Sequence, residues 1–197
     1  MILYQDPHLL IALKPAGLPT QAPRGGGDNL FDRLRAAHDY VGLHHRLDTP
    51  VEGLVLFTLD KGVNAAISAA FKEHRIHRSY QALVVGDPGP QGSWTTPLDG
   101  QPAHTDYLHL PAGEDMLPAW AARHRPGRTT ALAITLQTGR THQIRRHCAD
   151  AGHPILGDRR HGGAASRLAP NICLRAVGLR LTHPVTGQTL ELRAPQA

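Results

Sequence analysis

The sequence predicts a globular protein that combines β-strands and α-helices in one domain. Short apolar stretches with strand-like alternation occur along much of the chain, and other segments carry apolar residues at helical spacing. The composition, 41% hydrophobic and 19% charged over 197 residues, is that of an ordinary folded protein. This length is sufficient for a well-packed core, and we expect one domain rather than two small ones.

Strands and helices are predicted in alternation over the first third of the chain. Residues 2–3 and 9–13 are apolar segments typical of strands, and the turn-forming sequence PAGLP at 15–19 ends them. Residues 29–39 are predicted to form a helix, and residues 53–59 a further strand. Asp60 is a good N-cap for a second helix. The inward face of this second helix is predicted to consist of Val63, Ala66, Ile67, Ala70 and Phe71.

Two further strands and one helix are predicted in the second half. Residues 76–86 have strand composition, and alternation places Arg78 and Tyr80 on the same face. Residues 129–138 form a strand that is apolar on both faces. Thr141 can then cap a helix that continues to about residue 151.

The balance of charge favours an anionic partner. The formal net charge is +5, the isoelectric point is near 9.7, and Lys14, Lys61 and Lys72 are the only lysines among 21 basic residues. Arginine pairs with phosphate through a flat fork and stacks on bases, so nucleic acid is the leading candidate. A GC-rich genome would also enrich arginine, alanine, glycine and proline, and this alternative stays open.

Several other classes of protein are not favoured. The N-terminus has no basic segment before an apolar one, and no run of 18 apolar residues occurs, so we expect a cytoplasmic protein without a membrane anchor. Cys148 and Cys173 lack partners at zinc-binding spacing and are expected in the core. The 14 histidines contain no His-Glu-x-x-His motif, so no metal is expected, although a metal-dependent hydrolase remains a third alternative.

The segment from residue 45 to 48, His-Arg-Leu-Asp, contains the candidate catalytic residue, Asp48. In an extended segment Arg46 and Asp48 point to one side, and His45 and Leu47 to the other. A guanidinium then lies beside a carboxylate. This arrangement suits either a charged catalytic acid or a structural ion pair at the end of a strand.

A second block, residues 136–147, predicts a helix with one basic face. His142, Arg145 and Arg146 are spaced three and four residues apart, with Ile144 and Cys148 on another stripe. A basic helix face with an exposed N-terminus attracts phosphate. An ordinary solvated helix would show the same pattern.

The order of these motifs makes the chain resemble the RluA-type family of RNA pseudouridine synthases. The matching segments cover nearly the whole chain. They are KPAGLP at 14–19, HRLD at 45–48 followed by Gly53-Leu54, Arg78-Ser79-Tyr80, TGRTHQIR at 138–145, residues 152–158, and LTHP at 181–184.

This resemblance implies an α+β fold, with a single catalytic domain over residues 1–197 and a mixed, largely antiparallel sheet flanked by helices around a deep RNA-binding cleft. It implies an isomerase that converts a specific uridine in structured rRNA or tRNA to pseudouridine, without a cofactor. We expect a monomer that acts on RNA and not DNA. No separate S4-like RNA-binding domain is expected, because the motifs begin almost at the first residue.

The resemblance also implies residue roles. Asp48 would be the essential carboxylate, Tyr80 would pack on the base and help remove the C5 proton, and Arg145 would pair with Asp48. Flipping the nucleotide out of its helix costs about a few kcal/mol, and Arg46 would help extrude it. The predicted substrate-binding residues are His45, Arg46, Arg78, Arg140 and His142.

Departures from the family pattern leave the predicted catalytic groups in place. Val51 and Glu52 stand where Thr-Ser is usual, so a further negative charge lies close to the site. His161 stands where the family usually has Tyr, and Arg78 where Lys is common. A catalytically silent RNA-binding protein on the same scaffold is the main alternative, and intact Asp48 and Tyr80 speak against it.

Overall fold

The computed structural model describes residues 1–111 and 129–195, and in that part of the chain it has ten strands and three α-helices. The α+β class predicted from the sequence is confirmed. The chain divides into two compact units, the first formed by Met1–His77 with Gly178–Ala194 and the second by Arg78–Val177. That residues 1–197 form one catalytic domain stays a prediction. Among the described residues, no helix is both long and apolar enough to cross a membrane.

The first unit is built on antiparallel strands. Strand β2 pairs with β1 on one side and with β4 on the other, β3 also pairs with β4, and β10 pairs with residues 178–182 of β9. The elements of this unit are β1 (Ile2–Gln5), β2 (Leu9–Lys14), α1 (Leu30–Arg35), β3 (Gly42–Leu43), β4 (Glu52–Thr58), α2 (Asn64–Lys72), part of β9 (Leu174–Thr182) and β10 (Thr189–Arg193).

The core of the first unit explains why these segments form strands and helices. Strand β2 is apolar at consecutive positions because both of its faces are covered: Leu9 and Ile11 on one face and Leu10 on the other are fully buried. Helix α2 contributes Ile67 and Ala70 to the same cluster. Asp60 is an N-cap, as predicted, but the residues it caps are a 3₁₀ turn (Lys61–Val63) that leads into α2; its side chain accepts from the N–H of Gly62.

The second unit contains a four-stranded antiparallel sheet in the order β5-β8-β7-β6. Its buried cysteines, Cys148 and Cys173, are core residues as predicted, and burial raises the pKa of Cys173 to about 12. The elements are β5 (His77–Val85), β6 (Gln91–Trp94), β7 (Thr105–His109), β8 (Thr129–Leu136), α3 (Gln143–Asp150), a 3₁₀ turn (Gly163–Arg167) and the first residues of β9.

The start of helix α3 differs from the prediction. Thr141 does not cap it; the helix begins at Gln143 after His142, whose φ of 53° lies in the left-handed region. The Oε1 atom of Gln143 accepts from the backbone N–H of Arg140 at 3.0 Å and from the hydroxyl of Thr138 at 2.7 Å. The turn before the helix is therefore held by the side chain of a residue inside the helix, and the cap preference of Thr141 is overridden.

Candidate active site

The segment around Asp48 has the alternation predicted from the sequence. His45 and Leu47 are buried, Arg46 is exposed, and Asp48 is partly exposed. The backbone carbonyl of Asp48 accepts from the N–H of Val51 at 3.0 Å, which closes a tight turn immediately after the carboxylate. Arg46 and Asp48 are thus more accessible to solvent than His45 and Leu47.

His45 contacts the scaffold of the first unit. Its Nε2 accepts a hydrogen bond of 2.9 Å from the backbone N–H of Leu56 in β4, and its ring centroid lies 5.0 Å from that of Phe71. An accepting Nε2 carries no proton, so this bond fixes His45 as a neutral imidazole with its proton on Nδ1. These contacts give His45 a structural role, and its predicted contact with substrate stays a prediction.

Lys14 is a residue near Asp48 to which sequence reasoning assigned no role. It is fully buried at the end of β2, and its Nζ donates to the carbonyls of Pro15 at 3.0 Å, Leu18 at 2.7 Å and Thr49 at 3.2 Å. Burial lowers the pKa of Lys14 to about 8, and the negative charges of Asp48 and Glu52 oppose that shift. A desolvated cation therefore acts electrostatically on the candidate carboxylate.

Thr20 is a second residue that sequence reasoning missed. Its buried hydroxyl donates to the carbonyl of Leu47 at 2.8 Å and also accepts from the N–H of the same residue at 3.1 Å. Thr20 lies in the loop after β2, 27 residues from Leu47 in sequence. No pattern in the sequence indicates a contact over this separation.

In the second unit, Arg145 is buried rather than part of an exposed basic face, and that part of the sequence prediction is wrong. Only 5% of its surface is exposed. Its Nε donates to Oδ2 of Asp158 at 2.8 Å and its Nη2 to Oδ1 at 2.7 Å, which is a bidentate pair. The helical spacing predicts that Arg145 and Arg146 share one face, but the ion pair with Asp158 buries Arg145, whereas Arg146 remains partly exposed.

Asp158 is itself almost fully buried, with 1% of its surface exposed. Burial alone would raise the pKa of this carboxyl, but the hydrogen bonds from Arg145 and from the backbone N–H groups of His161 and Arg160 outweigh it and hold the pKa below its usual range. The pair is therefore ionised, and Arg145 is fixed in one orientation.

Tyr80 and Arg78 lie on β5, as the strand pattern predicts. Tyr80 is buried opposite Ile134 of β8, and Arg78 is partly exposed two residues earlier. A Cβ atom added to Gly139 would lie 3.4 Å from Nη2 of Arg78. The guanidinium thus packs against the glycine turn that follows β8, and a larger residue at position 139 would press on it.

The same turn carries Arg140 and His142. Arg140 is exposed, with its Nε donating to the carbonyl of Pro102 at 2.9 Å. His142 Nδ1 lies 2.9 Å from Nε2 of His161, so one of the two imidazoles donates to the other. Burial lowers the pKa of His161, which favours its neutral form. Within the second unit the structure therefore brings together Arg78, Arg140 and His142.

A buried polar network holds this turn, and sequence reasoning did not identify it. Gln143 is buried, and its Nε2 donates to the carbonyl of His104 at 2.9 Å and to Oγ1 of Thr105 at 3.0 Å. His147 bonds the same threonine hydroxyl through Nδ1 at 2.9 Å. With its Oε1 bound to the turn, Gln143 uses both ends of its amide, which makes the geometry of the turn specific.

The histidine-rich composition raises the question of a metal site. Within residues 1–111 and 129–195, no group of three or more His, Cys, Asp or Glu side chains could hold a metal ion. Two buried histidines, His45 and His147, bond to backbone groups or to a threonine hydroxyl, while His8 and His183 bond to the carboxylates of Asp60 and Asp6.

Comparison with known proteins identifies the class to which this fold and these motifs belong. Residues 8–150 match the family described as RNA pseudouridylate synthase. Two solved human structures share the fold. RNA Pseudouridylate Synthase Domain Containing 1 matches with a TM-score of 0.77 and 23% identity, covering 98% of this chain and 82% of that one. RNA Pseudouridylate Synthase Domain Containing 4 matches with a TM-score of 0.74 and 21% identity, covering 100% of this chain and 88% of that one. The class is thus that of the RNA pseudouridine synthases, which are isomerases.

Curated relatives place the chain more narrowly. It is 32% identical to the dual-specificity RNA pseudouridine synthase RluA of Haemophilus influenzae, covering 98% of this chain and 91% of that protein. It is 30% identical to RluA of Escherichia coli, with 99% and 92% covered, and 33% identical to tRNA pseudouridine synthase C of Salmonella typhimurium, with 98% and 84% covered. The chain belongs to the RluA-type family of RNA pseudouridine synthases, as its motifs predict.

Proposed function

We propose that this protein isomerises a specific uridine in structured ribosomal or transfer RNA to pseudouridine, with Asp48 as the essential carboxylate. One observation carries the assignment of Asp48: it is partly exposed between two anchored neighbours, Leu47 and Thr49, and the buried cation of Lys14 acts on it electrostatically. The relatives include a tRNA pseudouridine synthase and dual-specificity RNA pseudouridine synthases, which supports transfer RNA as a substrate and is compatible with a second kind of RNA. That the second kind is ribosomal RNA is our own prediction.

The proposed reaction breaks the N1–C1′ glycosidic bond and forms a C5–C1′ bond, after which the proton on C5 leaves and N1 is protonated. Asp48 either attacks C1′ to form a covalent intermediate or initiates an elimination that passes through a glycal. Both routes need an ionised carboxylate. Lys14 places a desolvated positive charge near Asp48 and attracts its carboxylate.

Tyr80 and Arg145 are the proposed companions of Asp48. Tyr80 offers a flat ring for packing on the base and a hydroxyl for transfer of the C5 proton. Arg145 is proposed to pair with Asp48 and keep it ionised. Arg145 meets Asp158 through Nε and Nη2, and a guanidinium carries five N–H donors in all, which suits it to contacts with more than one carboxylate.

The remaining predicted residues are proposed to bind RNA. A uridine inside a helix exposes neither C1′ nor C5, so we infer that it is flipped out, at a cost of about a few kcal/mol, with the exposed Arg46 filling the vacated stack. Arg78, Arg140 and His142 surround the turn after β8 and are suited to phosphate and base contacts. His45 would affect substrate binding indirectly, by fixing the position of the segment that carries Asp48.

The decisive experiment replaces Asp48 by Asn and follows tritium release from C5-labelled uridine in total RNA taken from cells that lack this gene. We expect the Asp48→Asn rate to fall by at least roughly 10³-fold, with RNA affinity within about threefold of wild type, because the variant removes only the reacting group. Asp39→Asn, which changes an exposed carboxylate of the same unit, should behave as wild type.

Two results would contradict the proposal. Asp48→Asn with a normal rate would exclude the assigned carboxylate. RNA binding by the wild-type protein without conversion of any uridine would favour the silent RNA-binding alternative. Mapping pseudouridine in total RNA with and without the gene would identify the modified position.

A further inference from the structure

The loop that follows β2 anchors the main chain on both sides of Asp48. Thr20 binds Leu47, the residue before Asp48, while Lys14 and the N–H of Gly17 bind the carbonyl of Thr49, the residue after it. We propose that Thr20 is a positioning residue for Asp48, which sets the orientation of the carboxylate without touching the substrate. This inference rests on the proposed function of Asp48.

The hydroxyl of Thr20 controls the peptide group that leads into Asp48. It donates to the carbonyl of Leu47 at 2.8 Å, and that carbonyl belongs to the peptide plane whose nitrogen is that of Asp48. It also accepts from the N–H of Leu47 at 3.1 Å, which holds the preceding plane. One buried side chain thus fixes two successive peptide planes, as a neighbouring β-strand would.

The peptide groups after Asp48 are held as well. The Asp48 carbonyl accepts from Val51, and the Thr49 carbonyl accepts from Gly17 at 2.9 Å and from Nζ of Lys14 at 3.2 Å. With the main chain fixed on both sides, the remaining freedom of the carboxylate is rotation about its own side-chain bonds.

Thr20 can serve as an anchor because its own position is fixed by helix α1. The backbone carbonyl of Thr20 accepts from the N–H of Phe31 at 3.0 Å, and the carbonyl of Pro19 accepts from the N–H of Leu30 at 3.0 Å. These are N–H groups of the first turn of α1, which have no partner inside the helix. The contacts form a continuous chain from α1 through Thr20 and Leu47 to Asp48.

This arrangement predicts an effect on the rate of the chemical step and not on RNA affinity. A displacement of a reacting group by about 1 Å can cost roughly 10²-fold in rate, because the bonding geometry with the substrate is lost. Thr20 is buried, so it offers no surface for RNA. Loss of its hydroxyl should therefore lower kcat and leave the dissociation constant for RNA nearly unchanged.

The test compares three variants in the C5 tritium-release assay on total RNA from cells that lack the gene. Thr20→Val keeps the shape and removes both hydrogen bonds, and Thr20→Ser keeps the hydroxyl. Thr130→Val is the matched control, since the hydroxyl of Thr130 likewise donates to a main-chain carbonyl, that of Gly86, in the other unit. If Thr20→Val does not fold, Thr20→Cys replaces it, because a thiol is a much weaker hydrogen-bonding group.

We expect kcat to fall by about 10- to 100-fold in Thr20→Val, with the dissociation constant for RNA within about twofold of wild type. Thr20→Ser should recover at least about a third of the wild-type kcat, and Thr130→Val should match wild type. Amide hydrogen exchange provides a readout independent of activity: exchange at the Val51 N–H, which bonds to Asp48, should accelerate in Thr20→Val and not in Thr130→Val.

The inference is overturned by a wild-type kcat in Thr20→Val, by a loss that equals the fraction of unfolded protein, or by Thr20→Ser as slow as Thr20→Val. Unchanged exchange at Val51 also overturns it, whatever the activity. A wild-type protein that converts no uridine, or an active Asp48→Asn, would instead contradict the proposed function, so the two failures are distinguishable.

Discussion

Lys14 in the first unit and Arg145 in the second are both buried cations in motif segments, yet their charges are compensated differently. Lys14 has three N–H donors, and all three go to main-chain carbonyls. Its attraction to Asp48 and Glu52 therefore acts through space. Arg145 instead forms a bidentate ion pair with Asp158, a carboxylate as deeply buried as itself.

The difference shows how a protein can place a positive charge near a carboxylate, here Asp48, when all three N–H groups of the lysine donate to main-chain carbonyls. Carbonyl dipoles compensate a cation less completely than a carboxylate does, and the pKa of Lys14 is accordingly lowered from 10.5 to about 8. With Lys14 charged at neutral pH, this lowered pKa corresponds to a loss of about 3 kcal/mol in the free energy of unfolding. The pKa of Asp158 is instead lowered, which means that the folded protein stabilises the charged form of its pair with Arg145.

The largest expected effect comes from Asp158→Asn. Removal of one charge from a buried pair leaves the other uncompensated, and we expect a loss of about 3–5 kcal/mol in the free energy of unfolding by urea denaturation. Asp99→Asn is the control, because Asp99 forms an exposed pair with Arg146, and its stability should match wild type. An Asp158→Asn protein as stable as Asp99→Asn would contradict the contrast with Lys14.

The Asp158 pair also predicts a dependence on acid. Its carboxyl has a folded-state pKa below the ordinary value of 3.8, so its contribution to stability is present above that pH and is lost as the pH falls through the lower folded-state pKa. Asp158→Asn should lack this part of the acid sensitivity when unfolding is measured between neutral pH and pH 2.5.

A smaller effect is expected for Lys14→Met. At neutral pH, removing the buried charge stabilises the protein and losing three hydrogen bonds destabilises it, so the free energy of unfolding should stay within about 2 kcal/mol of wild type. The sharper measurement is the pH dependence of unfolding between 8 and 10.5. Over that range the unfolded state binds more protons at Lys14 than the folded state does, so wild-type stability should rise by up to about 3 kcal/mol relative to Lys14→Met. Parallel stability curves would show that Lys14 is not desolvated as its contacts imply.

The smallest effect is expected for exposed cations, whose charge is solvated rather than buried, and it should be seen in the affinity for RNA. RNA binding should weaken as salt rises, because phosphate contacts release counterions. Arg140→Gln should reduce the slope of log affinity against log salt by roughly 0.7–0.9, the value for one phosphate contact. Arg33→Gln, which changes an exposed arginine paired with Asp28, is the control. A slope identical in Arg140→Gln and wild type would exclude Arg140 from the RNA interface.

The parts of the site predicted from sequence are those governed by local periodicity. The alternation of burial from His45 to Asp48 follows from an extended backbone, and the placement of Arg78 and Tyr80 follows from the strand pattern of β5. Both depend only on neighbours in sequence. The motif order was sufficient to identify the family for the same reason: each motif is a local string of residues.

The parts that were missed depend on partners distant in sequence. Thr20 and Leu47 are 27 residues apart, and Lys14 and Thr49 are 35 apart. Helical spacing placed Arg145 correctly along the helix, but its burial is decided by Asp158, 13 residues later in a different segment. A residue's own type and spacing do not reveal which polar group completes its hydrogen bonds.

The pair formed by His142 and His161 has a consequence for the turn that carries Arg140. Two imidazoles contain four ring nitrogens, and a bond between two of them leaves room for only three protons in total. While the bond persists, the pair can gain no more than one positive charge, even in mild acid. Next to Arg140 this chain therefore has a two-ring unit with a fixed upper limit on its charge.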